Sequence, residues 1–250
     1  MDFLDYLGKE ETNLLTSFLN FKSELDLFHT LDSIYQEPLE RLEISRDNLK
    51  EFLVSQLYLF VHFHFYFSVT CFLRLHLSEC FSSSRKAIDA TLCAYKIIDQ
   101  PETAKKYFDR DKYFQFIKTN IQNEIQKDSS RYPLAHKLIK VHDICSQYGS
   151  HADISSFFYR LEIKNIPEIR SEKLLLQYFQ FPKEIQQGKY YFVVILLAFL
   201  YMFIIFKKYF DSKLKVIDPS WERDIKGLNQ KLEKMGKTLS YLIKDEDFFK

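Results

Sequence analysis

Two short stretches of this 250-residue chain carry residues whose types and spacing suit chemistry. In the first, Ser78, Ser82, Arg85, Asp89 and Lys96 recur at helical spacing. At 100° per residue they form a polar strip beside an apolar stripe of Leu77, Phe81, Ile88, Leu92 and Tyr95, while Glu79 and Lys86 point the other way. A guanidinium and a carboxylate on such a border are half buried and need partners, so Arg85 and Asp89 either line a polar cleft or close a seam between helices. Arg preceding Asp by four is the weaker orientation for a pair within one helix, which favours partners elsewhere. The second stretch is Tyr148-Gly149-Ser150-His151-Ala152-Asp153, after a helical run in which His142 borders the apolar side. Gly149 suits the position just past a helix end, where φ is positive, and would hold His151 and Asp153 on a short connection. An imidazole beside a carboxylate exchanges protons near neutral pH, and equally it satisfies a loop. Arg85, Asp89, His151, Asp153 and His142 are therefore the candidate catalytic residues.

Long helices must position these groups. Only five Gly and six Pro occur in the chain, too few for the many tight turns of a β-sandwich or barrel. The expected fold is mainly α, a single multi-helix domain over 1–250 with the N-terminal helices of 1–45 at its periphery. Ser45-Arg46-Asp47 offers an N-cap for a helix running toward Arg74, and helices are expected over about 77–98, 112–127, 133–148, 183–213 and 219–244. Two apolar runs around a polar turn predict a small β-hairpin within 157–180.

Charge and cysteine content narrow the classes. Lys plus Arg at 35 against Asp plus Glu at 34 gives a net charge of +1, so nucleic acid would have to be met by a local patch. The cysteines Cys71, Cys80, Cys93 and Cys145 fall inside apolar helical patterns, which fits free thiols in a reducing cytoplasm. Two segments are apolar on every face. Leu53 to Leu73 holds no formally charged residue; Tyr190 to Phe206 holds none either, with twelve Leu, Ile, Val or Phe. The latter spans roughly 25 Å as a helix, a little short of the roughly 30 Å hydrocarbon layer. It reads as a central core helix, with an inner-membrane anchor as the alternative.

The motifs Ser78-Glu79-Cys80-Phe81 with Arg85 and Asp89, then Asp99-Gln100-Pro101-Glu102-Thr103-Ala104, and later Gln147-Tyr148-Gly149-Ser150-His151, resemble a group of uncharacterised bacterial helical proteins. In that group an Arg-x3-acidic step on one helix and a Gly-x-His step after a later helix recur, followed by a small hairpin and a hydrophobic helix. The resemblance covers roughly a third of the chain; it departs from the group at Asp89, where Glu is expected, and at Ala152-Asp153, where Pro-Asn is expected. More distantly the helical layout is similar to HEPN domains. That resemblance implies a helical dimer acting as a metal-independent ribonuclease in defence or toxin systems, with an Arg-x4-6-His signature.

Arg131-Tyr132-Pro133-Leu134-Ala135-His136 matches that signature, but nine Arg and seven His supply roughly 0.8 such matches by chance. Pro133 is also expected to start a helix, leaving Arg131 outside it and His136 pointing away from the stripe of Leu134, Leu138, Val141 and Cys145. His62-x-His64 diverge by about 200° on a helix and do not suit one metal ion. His142, Cys145 and His151 lack a fourth ligand. No phosphate-cradling Gly-rich loop, nucleophile elbow or dinucleotide fingerprint is present, so neither cofactor nor metal is expected. The leading expectation is a HEPN-like ribonuclease or defence effector that contacts RNA, with a homodimer and membrane contact both open. The alternatives are a non-enzymatic helical interaction protein and an inner-membrane protein anchored through 190–206.

Overall fold

A computed structural model describes residues 2–41, 47–108, 113–128, 130–149, 161–166, 171–179, 184–213 and 219–243. The chain is a mainly α-helical bundle. In order it comprises α1 (Phe3–Asn20), α2 (Lys22–Leu39), α3 (Leu49–Leu73), α4 (Leu77–Asp99), a 3-10 helix (Pro101–Phe108), α5 (Tyr113–Lys127) and α6 (Pro133–Gly149). The strands β1 (Leu161–Ile166) and β2 (Ser171–Leu176) and the helices α7 (Ile185–Lys213) and α8 (Pro219–Ile243) complete it. The strands pair antiparallel with Leu161 opposite Leu176 and Ile166 opposite Ser171, which is the hairpin expected from the two apolar runs.

Helix starts follow local chemistry. Asp2 caps α1 in a reciprocal box with Asp5, each side chain accepting from the other's backbone N–H. Asn48 caps α3 by accepting from the Glu51 N–H, one residue past the Ser45-Arg46-Asp47 stretch expected to do so. At the other end of α3, His76 N–H donates to the Cys71 carbonyl and Leu75 N–H to that of Phe72, a Schellman closure. Leu75 takes the left-handed conformation this needs, with φ 65°, where glycine is usual.

The core runs along α7. Within Tyr190–Phe206 every residue except Ile204 is buried, enclosed by α2, α3, α4, α6 and α8. α4 packs between α3 and α6 and buries Phe81, Ile88, Leu92 and Tyr95 while Glu79 and Lys86 stay exposed, as its periodicity requires. α8 adds Trp221, Ile225, Leu228 and Leu232, one stripe of an amphipathic helix. α2 belongs to the core through Leu31, Ile34 and Tyr35, whereas α1 sits at the periphery with Ser17 its one fully buried position. All four cysteines are free and buried.

His62 and His64 leave α3 in opposite directions. His62 stacks on Tyr35 of α2, with centroids 5.5 Å apart, and His64 Nδ1 lies 2.7 Å from Ser83 Oγ of α4. Burial holds both imidazoles below their ordinary value of 6.5; Lys86 adds to this at His64, and Asp32 opposes it at His62. The unfolded chain therefore takes up protons near pH 6.5 that the native one refuses. Stability from these groups is full above that pH and is lost as pH falls below it. The unfolding midpoint is expected to drop between pH 7 and 5, and a His62→Gln, His64→Gln variant to flatten that slope. An unchanged slope in the variant would assign the loss to other groups.

Candidate polar site at the seam of α4 and α6

Arg85 and Asp89 are one turn apart on α4, and both reach His142 on α6. Arg85 Nε lies 3.3 Å from His142 Nε2, and Asp89 Oδ1 lies 3.1 Å from the same nitrogen. The three were brought together by two periodicities: the strip on α4 borders its buried stripe, and His142 follows the fully buried Val141 on α6. His142 is buried, while Arg85 and Asp89 are half-buried and reach the surface.

One ring nitrogen thus faces a donor and an acceptor and can serve only one. Unprotonated, Nε2 accepts from the Arg85 N–H and leaves Asp89 Oδ1, a buried atom, without a donor. Protonated, it donates to Asp89 and releases the guanidinium. On the other side of the ring Nδ1 stands 3.4 Å from Asp143 Oδ1 and 3.5 Å from Ser146 Oγ, so each N–H of an imidazolium would face a carboxylate. Nearby Cys145 is fully buried, and burial pushes its thiol up to about 12, Arg85 opposing and Asp89 adding. It is a packing residue.

His151 and Asp153 lie outside the described residues. Gly149, expected just beyond the helix with a positive φ, is instead the last residue of α6, and no glycine among the described residues has a positive φ. The α6 boundary at Pro133 leaves Arg131 before the helix and His136 exposed on it. Arg131 is engaged elsewhere: its Nη2 lies 3.2 Å from Asp99 Oδ2, its Nε 3.6 Å from Glu124 Oε2, and its guanidinium sits over the Tyr132 ring.

That second cluster was missed as a unit. Lys96, one end of the α4 strip, is buried and places Nζ 2.8 Å from Glu124 Oε1 on α5. Tyr132 donates to Asp99 at 2.5 Å. Burial pushes the carboxyls of Asp99 and Glu124 up, but hydrogen bonds from Tyr132 with Arg131 and from Lys96 with Tyr132, respectively, outweigh it and leave both below the usual range. The same burial and carboxylates drive the Tyr132 phenol well up. These groups pair with one another, with Glu124 Oε2 alone of their buried side-chain atoms lacking a hydrogen bond and lying 3.6 Å from Arg131 Nε, which suits a structural tie between α4, α5 and the start of α6.

No protein-family model, curated protein or solved structure matches the chain. Among the described residues, no group of three or more His, Cys, Asp or Glu is arranged to hold a metal ion.

Proposed function

We propose that this protein is a HEPN-like ribonuclease of the defence or toxin type, working in the cytoplasm. The observation that carries this reading is the meeting of a guanidinium, an imidazole and a carboxylate at one half-open seam, within 3.3 Å of a single ring nitrogen. Cleavage of RNA needs two services that these groups supply. Arg85 would hold the non-bridging phosphate oxygens, and His142, its Nε2–H held by Asp89, would take the proton of the ribose 2′-hydroxyl at Nδ1. The 2′-oxygen then attacks phosphorus, the 5′-oxygen leaves with a proton from an imidazolium, and a 2′,3′-cyclic phosphate remains. Because the nucleophile comes from the substrate, no metal is required to generate it. His151 and Asp153, which follow α6 in sequence, are the candidates for the second proton transfer.

Wild-type protein is expected to cut single-stranded RNA and to arrest growth on induction. Arg85→Ala and His142→Asn should each slow cleavage by about 10²-fold or more, with the Arg85→Ala variant melting close to wild type because its side chain reaches the surface. Wild-type protein that neither cleaves RNA nor inhibits growth would overturn the reading. A second reading, a non-enzymatic interaction protein, draws support from a bare aromatic face on α3: under it, the same substitutions reduce stability and there is no cleavage to lose.

A further inference from the structure

A second polar cluster lies away from the seam of α4 and α6, where the end of α3 and the start of α4 meet α1. His76 Nε2 stands 2.7 Å from Glu10 Oε1 and 3.2 Å from the Tyr6 hydroxyl, and the imidazole and carboxylate side chains are only 13 and 20% exposed. A carboxylate at that distance holds the proton on Nε2 and leaves Nδ1 an acceptor. Neither Nδ1 nor Glu10 Oε2 has a partner among the described residues. All three side chains line a cavity of about 330 Å³, together with Phe67, Arg74 and Tyr178. Phe67 and Tyr178 keep 47 and 41% of their surface exposed, and Tyr6 is stacked on Phe179 and edge-on to Tyr178. Arg74, although half-buried, makes no hydrogen bond or ion pair among the described residues. It and His76 flank the left-handed Leu75, so the turn that closes α3 sets both against one cavity. A strap that merely held α1 to the bundle would need the Glu10–His76 pair and not the guanidinium.

Formal charge selects the kind of ligand. Arg74 shares the lining with two carboxylates, Glu10 and Glu79, so an anion meets net repulsion, while a simple ammonium ion meets Arg74. Burial pushes the thiol of Cys71, also in the wall, up to about 11, which rules it out as a nucleophile at neutral pH. A neutral planar ring that accepts from Arg74, donates to Glu10 and stacks on the aromatic side chains suits every group. We propose that this cavity binds a guanine base. Guanine offers O6 and N7 to a guanidinium and N1–H and N2–H to a carboxylate, whereas adenine has a donor where guanine has O6, and the pyrimidines have a single ring. The volume falls at the lower end of the roughly 300–1,000 Å³ usual for ligand cavities, enough for one base and not for a length of polymer. A free nucleoside and a single unstacked residue of RNA both present this edge. The cavity shares no side chain with Arg85, Asp89 and His142, so guanine binding does not depend on RNA cleavage.

Equilibrium dialysis of the full chain against labelled guanosine, adenosine, cytidine and uridine tests this. Wild type should bind guanosine saturably and at least about tenfold more tightly than the other three. Arg74→Ala and Glu10→Gln should each abolish that preference at an unchanged melting temperature, and Tyr178→Ala should weaken all four nucleosides alike, because stacking tolerates any base. Should Arg74→Ala fail to fold, Glu10→Gln decides, since its amide oxygen still accepts from His76. Displacement of guanosine by the oligoribonucleotide UUGUU and not by UUAUU would identify RNA as the source of the base, and guanosine that neither displaces would identify the free nucleoside. No saturable binding, equal affinity for the four nucleosides, a preference that survives both Arg74→Ala and Glu10→Gln, or displacement of guanosine by the zwitterion tyrosine would each overturn the guanine site.

Discussion

Glu124→Ala is expected to lower the free energy of unfolding by about 3 kcal/mol, more than any surface substitution should. The reason is Lys96. Its side chain is only 3% exposed, and its ammonium sits 2.8 Å from Glu124. Removing the carboxylate strands a cation inside the bundle, whereas removing both charges leaves an uncharged contact of similar volume. Lys96→Met combined with Glu124→Gln should therefore recover to within about 1 kcal/mol of wild type. Urea unfolding of the three variants checks this, and a Glu124→Ala protein as stable as wild type would show that Lys96 finds water without its partner. The pair also bears on the candidate site. Lys96 and Asp99 end α4, Glu124 is on α5, and Arg131 and Tyr132 lead into α6, so this cluster fixes the angle at which α6 presents His142 to Arg85.

How far the sequence could be read differs from one helix to the next. α4 was legible because its apolar residues recur at 3.6 and its polar ones fall on an adjoining strip; the angle of Arg85 and Asp89 followed directly. Their shared partner did not follow, since periodicity gives the direction of a side chain and not the helix that docks there. Lys96 was placed on the strip for the same reason, and Glu124 was lost within a charged run for the same reason. α3 and α7 are apolar on all sides, so no pattern distinguishes an enclosed helix from one with a bare side. In the fold α7 is surrounded, and α3 is open along Phe60, Phe63 and Phe67. Gly149 was misplaced by one position because a glycine near a helix end suits the last turn almost as well as the residue after it.

Tyr35 carries the largest expected effect in the core itself. It is fully buried, its ring lies parallel to those of Tyr58 and His62 and near-parallel to Phe65, and it tilts against Phe203 at 5.0 Å. Its hydroxyl donates to the Phe199 carbonyl at 2.8 Å, while its own carbonyl accepts from the Tyr58 hydroxyl at 2.6 Å. One side chain thus joins α2, α3 and α7. Tyr35→Ala should cost about 3–5 kcal/mol, because neighbours held by other rings cannot collapse into the space. Tyr35→Phe keeps the ring and removes one buried hydrogen bond, for about 1 kcal/mol. The contrast separates packing from polarity, and denaturant midpoints measure both. A Tyr35→Ala loss no larger than that of Tyr35→Phe would mean the aromatic stack is not what holds α2 to the bundle. Because α2 is remote in contact from the seam of α4 and α6, Tyr35→Phe should leave any RNA cleavage at wild-type rate, so that a stability change and an activity change can be told apart in the same pair of proteins.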